Sequence, residues 1–150
     1  WNPRRSIIFC SWGAEEYGLI GSLEWVEDFG KQLADRAVAY LNVDMAIEGN
    51  YSLRGLSAPL LTEELFAVAA KVPNPDAEEV AAGRLTVYDT WLDRLPDPDN
   101  PSKPKIGGIG AGSDYKGFQH NLGVPSLDVR YTYGPVSFYY HLFMKEQIPV

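Results

Sequence analysis

The sequence is poor in cysteine, in basic residues and in long hydrophobic runs, and each shortage excludes a class of protein. Cys10 is the single cysteine, so no internal disulfide can form, and its apolar surroundings favour a small buried residue over a reactive thiol. No apolar stretch approaches the roughly 18–20 residues that a membrane span needs. Lys and Arg total 13 against 20 Asp and Glu, and the net charge of −7 argues against nucleic-acid binding.

The remaining composition is that of a globular protein. The chain has 150 residues, of which 45% are hydrophobic and 22% charged, enough to bury the core of one domain. Residues 1–5 read WNPRR, without a starting Met or the apolar stretch of a signal peptide. We therefore expect one α/β domain over residues 1–150 that was excised from a longer protein.

Hydrophobic periodicity predicts alternating strands and helices. A continuous apolar run predicts a strand buried on both faces, and apolar residues at helical spacing predict a helix. The predicted strands cover residues 6–12, 37–43, 51–54 and 126–133, and the predicted helices cover residues 22–34, 58–72, 86–95 and 115–121. Proline-rich loops are expected at 73–82 and 95–105. The first strand, helix and strand predict a right-handed parallel crossover, and hence a three-layer α/β/α fold with a mostly parallel sheet.

Three acidic residues follow the ends of the first two predicted strands. Glu15 and Glu16 come just after residues 6–12, and Asp44 follows residues 37–43. Working residues of parallel sheets lie beyond the carboxyl ends of the strands, so these carboxylates are expected to converge if the strands are neighbours. A metal ion would offset their repulsion and leave one carboxylate free as a base. The alternative for an isolated Glu-Glu pair is a solvated turn.

The sequence motifs around these acids point to a family more specifically. They are FCSWGAEEYGLIGS at residues 9–22, YLNVD at 40–44 and EGNYSLR at 48–54. Together they resemble the glutamate carboxypeptidase II branch of the M28 metallopeptidases, and the resemblance extends from Arg4 to about Thr132. It implies an incomplete zinc-exopeptidase-like fold.

The resemblance implies a site with two zinc ions. Glu15 corresponds to the general base, Glu16 to a ligand of one zinc and Asp44 to a ligand of the other. Tyr140 and His141 are the candidates for an oxyanion-stabilising hydroxyl and the last zinc ligand, although the alternative is an aromatic-rich tail unrelated to the family. The family's upstream His and bridging Asp fall outside the sequence, so this chain alone is expected to bind zinc poorly and to hydrolyse little.

The resemblance also implies residues that contact a small peptide substrate. The corresponding positions are Glu48, Arg54, Gly112, Ser113 and Arg130. Asp128 stands where glutamate carboxypeptidase II has a third arginine, and this charge reversal makes a preference for acidic substrates doubtful.

Further family features concern calcium, glycosylation and location. Glu24 and Glu27 correspond to structural calcium ligands, the alternative being two exposed helix acids. Asn50-Tyr51-Ser52 is a glycosylation sequon. The resemblance implies a homodimer and the extracellular domain of a single-pass membrane protein, with no membrane segment in this chain. His120 is expected to be a surface or packing residue.

Two other functions share the fold. Transferrin-receptor-like proteins have lost metal ligands and act as binding proteins, and retention of Glu15, Glu16 and Asp44 argues against that reading. Other M28 members are aminopeptidases with the same metal core. The sequence leaves the direction of cleavage open.

Overall fold

A four-stranded mixed sheet forms the centre of the computed structural model, which describes residues 3–134. The strands are β1 (Tyr40–Asn42), β2 (Ser52–Ser57), β3 (Ile106–Gly108) and β4 (Ser126–Thr132), in the order β1-β4-β2-β3. The pairs β1–β4 and β2–β3 are parallel, and β2–β4 is antiparallel. The predicted α/β class with a mostly parallel, incomplete sheet is confirmed.

Helices cover both faces of this sheet. They are α1 (Ile20–Asp28), α2 (Gly30–Arg36), α3 (Pro59–Ala69), α4 (Ala77–Ala81) and α5 (Val87–Arg94), followed by a π-helical turn at Gly117–Asn121. The predicted helix at 22–34 is divided by Phe29, and the predicted loop at 73–82 contains α4. Asp76 explains that difference, because its side chain accepts a hydrogen bond from the Glu78 amide and caps a short helix.

The predicted strand at 6–12 is wrong for this structure. Residues 6–12 form no strand and pair with no described strand, and Phe9 is 93% exposed. Cys10 is exposed as well, so the expectation that it is buried is wrong. The predicted crossover between this strand and the next is therefore also absent from the described residues. An apolar run gives a tendency to form a strand, but the strand itself requires a hydrogen-bonding neighbour.

Two hydrophobic clusters cover opposite sides of the sheet. Behind β2 and β4, the side chains of Leu65, Phe66, Ala69 and Trp91 from α3 and α5 pack on Leu53 and Val129. On the other side, Val26 of α1 packs with Phe118 and Val124, and the ring of Tyr40 stacks on that of Phe118 with 4.0 Å between centroids. These clusters fix β1 and β4 between α1 and α5.

A buried ionic cluster joins α4 to α5. The carboxylate of Glu79 is bonded by Arg84 and Arg94 and accepts a hydrogen bond of 3.0 Å from Thr90. Arg94 also donates to the carbonyl of Tyr51, just before β2. The bond from Arg84, with support from Thr90 and Arg94, holds the pKa of Glu79 below its ordinary value.

Trp91→Ala is expected to lower the free energy of unfolding by about 3–5 kcal/mol, because it empties a space at the centre of the first cluster. Trp91 is 0% exposed and its ring lies 5.5 Å from that of Phe66. Leu60→Ala, at a side chain 75% exposed, is the matched control and should change the value by less than about 0.5 kcal/mol. Denaturant unfolding of the full-length protein, followed by circular dichroism, measures both. Equal losses would contradict the assignment of this core.

Glu79→Gln is expected to flatten the acid side of the pH–stability profile. Because the folded pKa of Glu79 lies below its unfolded value, its stabilisation is fully present above the unfolded pKa, about 4.3, and is lost as pH falls through the folded pKa. Glu78→Gln, at the exposed neighbour, should leave the profile unchanged. Denaturant midpoints at several pH values between neutral and acidic provide the measurement. A profile unaltered by Glu79→Gln would refute the role of the cluster.

Candidate active site

A tight loop before α1 carries Glu15 and Glu16. The carbonyl of Glu15 accepts hydrogen bonds from the amides of Gly18 and Leu19, at 3.0 and 2.8 Å. Ala14 and Leu19 both have positive φ, 58° and 63°, a conformation that costs side-chain-bearing residues energy. The loop is thus held in a strained backbone on either side of the two glutamates.

Acidic residues from three separate segments determine the electrostatics of this loop. Burial, followed by the negative charges of Asp44, Glu16 and Asp114, raises the pKa of Glu15. Asp44 follows the end of β1, as predicted, and Asp114 is the last residue of a glycine-rich turn at residues 109–114, between β3 and the π-helical turn. The structure therefore brings the three predicted acids into one electrostatic environment and adds a fourth.

Asp114 has an unusual surrounding for a carboxylate. Its Oδ1 atom is buried and has no hydrogen-bond partner among the described residues. A buried, unpaired carboxylate oxygen is costly, and a cation would remove that cost. Sequence reasoning placed Gly112 and Ser113 at the substrate but assigned no metal-binding role to Asp114, which follows them directly.

The acids fit part of a metal site. Carboxylate oxygens suit zinc, and a cation would satisfy the unpaired Oδ1 atom of Asp114. Within residues 3–134, however, no three His, Cys, Asp or Glu side chains are grouped closely enough to hold an ion. The predicted residues Tyr140 and His141 lie outside the described residues.

A buried polar network lies beside the acids. The amide of Asn42, in β1, donates to the hydroxyl of Ser113 at 3.0 Å and to Oδ1 of Asp128 at 2.8 Å. Arg130 then donates to Oδ2 of Asp128 at 3.1 Å and to Glu48 at 2.7 Å. Burial works to lower the pKa of Arg130, but its bonds to the two carboxylates outweigh burial and raise it. Sequence reasoning missed Asn42, whose only signal is its position two residues before Asp44.

The other predicted substrate residues lie around this network. Arg54 is directly opposite Arg130 in the β2–β4 ladder, so both side chains lie on the same face, and Arg54 is exposed. Gly112 is exposed next to the buried Ser113. His120 is exposed, as predicted, and its Nε2 lies 2.6 Å from the carbonyl of Gly110, which ties the glycine-rich turn to the π-helical turn.

The two predicted calcium ligands lie on α1. Glu24 and Glu27 are both exposed on α1. The described residues place no third carboxylate in a metal-binding group with them. A calcium site at these residues stays a prediction.

Comparison with known proteins identifies the family. The model of peptidase family M28 matches residues 1–142. This chain belongs to peptidase family M28.

The similar proteins include peptidases with different printed activities. Mouse aminopeptidase NAALADL1 is 43% identical over 136 residues, covering 89% of this chain and 17% of the mouse protein. A Caenorhabditis elegans glutamate carboxypeptidase 2 homologue is 44% identical over 128 residues, 85% of this chain and 16% of that protein. The probable glutamate carboxypeptidase LAMP1 of Arabidopsis thaliana is 42% identical over 134 residues, 89% of this chain and 18% of its own length. The chain therefore spans less than one fifth of these relatives.

The described helices contain no membrane span. None of those within residues 3–134 combines the length and apolar character that crossing a bilayer requires.

Gly21→Ala is expected to open the loop that carries Glu15 and Glu16. A Cβ atom at Gly21 would lie 2.6 Å from the carbonyl oxygen of Gly13, and neither backbone can yield cheaply. Amide hydrogen exchange at Gly18 and Leu19 should become faster in the full-length protein, because the loop must move. Gly30→Ala is the matched control, since its new Cβ would meet its nearest neighbour at an ordinary 3.7 Å. Equal exchange in both variants would show that the close approach does not hold the loop.

Proposed function

We propose that the full-length protein to which this chain belongs is a zinc-dependent exopeptidase acting on small peptides. The proposal is carried by the membership of the chain in peptidase family M28, and the negative charges of Glu16, Asp44 and Asp114 that act on Glu15 support it. Such a group of acids is unfavourable by itself and becomes favourable around a cation.

Two zinc ions complete the proposed site. Glu16, Asp44 and His141 are the proposed ligands within this chain, and Asp114 supplies further negative charge beside them. When bound, zinc supplies Lewis acidity and lowers the pKa of water. The described residues provide only part of this ligand set.

Glu15 is the proposed general base. Its side chain lies in the loop before α1, one residue from the proposed zinc ligand Glu16, and a carboxylate can act as a general base. Glu15 accepts a proton from the water that attacks the peptide carbonyl and donates it to the amine nitrogen as the carbon–nitrogen bond breaks. The hydroxyl of Tyr140 is the proposed hydrogen-bond donor to the developing oxyanion.

The relatives support cleavage from either end of a peptide. The mouse relative is named an aminopeptidase, whereas the nematode and plant relatives are named glutamate carboxypeptidases or their homologues. We therefore propose exopeptidase action and leave both ends of the peptide as substrates to be assayed. A transferrin-receptor-like binding protein is the competing proposal, and the retained acids favour the enzyme.

The resemblance further supports a homodimeric, extracellular protein anchored by a segment outside this chain. Asn50 of the sequon is exposed just before β2, so its side chain is accessible for glycosylation if the protein is exported.

Glu15→Gln is expected to lower kcat by about 10²–10⁴ while bound zinc stays unchanged, because proton transfer is lost and the ligands remain. Glu16→Gln should instead lower the zinc content. Both are measured in the full-length protein by metal analysis and by hydrolysis of a dipeptide panel that includes blocked amino and carboxyl ends.

Glu63→Gln, at an exposed acid on α3, is the matched control and should change neither quantity. Full activity in Glu15→Gln would overturn the assigned base. A full-length protein that binds no zinc and cleaves no peptide would support the receptor-like alternative.

A further inference from the structure

Arg130 faces the proposed substrate side of β4, but its guanidinium is already engaged. Its two terminal nitrogens donate separately to Glu48 at 2.7 Å and to Asp128 at 3.1 Å. The side chain of Arg130 is 18% exposed, and those of Glu48 and Asp128 are 15% and 1% exposed. Arg130 is thus a partly buried cation between two carboxylates of its own chain.

Asp128 cannot easily release Arg130. Its other oxygen accepts the hydrogen bond from Asn42, which also bonds Ser113. Rotation of the carboxylate would break its hydrogen bonds to both Asn42 and Arg130, and withdrawal of Arg130 would leave a buried charge uncompensated. Breaking one side of such a pair costs far more than the pair contributes.

The charges around Arg130 leave no surplus for an anion. Asp128 and Glu48 carry two negative charges against the one positive charge of Arg130, and exposed Arg54 brings the total only to zero. The neighbouring acids around Glu15 add negative charge. An acidic substrate group would therefore have to compete with Asp128 for Arg130.

We propose that Asp128 is a positioning residue that sets substrate charge: by retaining Arg130 in a buried ion pair, it makes the site favour uncharged peptide side chains over acidic ones. This inference rests on the proposed peptidase function. It names the substrate class of that site, a peptide whose side chain next to Arg130 carries no negative charge.

The test compares dipeptides that differ only in one side-chain charge. Zinc-loaded full-length protein is assayed with Ala-Glu against Ala-Gln and with Glu-Ala against Gln-Ala, so that either direction of cleavage is covered. The wild type should prefer glutamine in the pair that reaches Arg130. Asp128→Asn keeps an oxygen for Asn42 but removes the charge that holds Arg130, so the glutamate-to-glutamine ratio of kcat/KM should rise about ten-fold.

Two readouts separate this role from a structural one. The gain should come from a lower KM for the glutamate peptide, because a freed Arg130 binds the substrate carboxylate in the ground state. Arg130→Gln, added to Asp128→Asn, should abolish the gain. Asp99→Asn removes an equal charge from the exposed loop after α5 and should leave the ratio unchanged.

Each result decides between the two proposals. If thermal melting shows that Asp128→Asn is unfolded, Glu48→Gln frees Arg130 from its other carboxylate and should also raise the ratio. A wild-type preference for glutamate, or a ratio unchanged in both folded variants, overturns the inference while hydrolysis itself upholds the proposed function. Failure of the zinc-loaded wild type to cleave any peptide overturns both.

Discussion

The hydrogen bonds of the buried Asp128 carboxylate hold together the face of the sheet that carries the proposed site. A carboxylate that is 1% exposed on the strand between β1 and β2 would be costly without partners. Asn42 and Arg130 provide them, and through these two residues β1, the glycine-rich turn and the segment before β2 are connected to β4. Ser113 and Glu48 are held in place by that connection.

The opposite side of the sheet supplies rigidity rather than chemistry. Through Trp91 and Phe66, α5 and α3 pack against β2 and β4. Gly55 leaves room for this packing, because a Cβ there would meet Leu65 at 2.8 Å and Trp91 at 3.3 Å. The apolar contact fixes the sheet from behind, so the polar residues on the other face keep their register without contributing the main stabilising energy.

Local signals predicted the elements that are stabilised locally, and tertiary contacts decided the rest. The capping box of Thr86 and Asp89 begins α5 where the pattern predicted a helix, and Asp44 follows β1 as expected. Residues 6–12 have a strand pattern but no described neighbour, and β3 was missed because two of its three residues are glycines. The contribution of Asp114 could not be predicted, since it depends on how a distant turn approaches the loop of Glu15.

The site side of the sheet is divided into two electrostatic halves. In one half the negative charges of Asp128 and Glu48 are met by Arg130 from the same chain. In the other half the acids around Glu15 raise its pKa, and no ion pair within residues 3–134 engages Glu15, Glu16, Asp44 or Asp114. In this second half, Oδ1 of Asp114 is buried without a partner among the described residues, and such burial is unfavourable. The mutual repulsion of acids strengthens their attraction for a metal ion, because a bound cation offsets that repulsion.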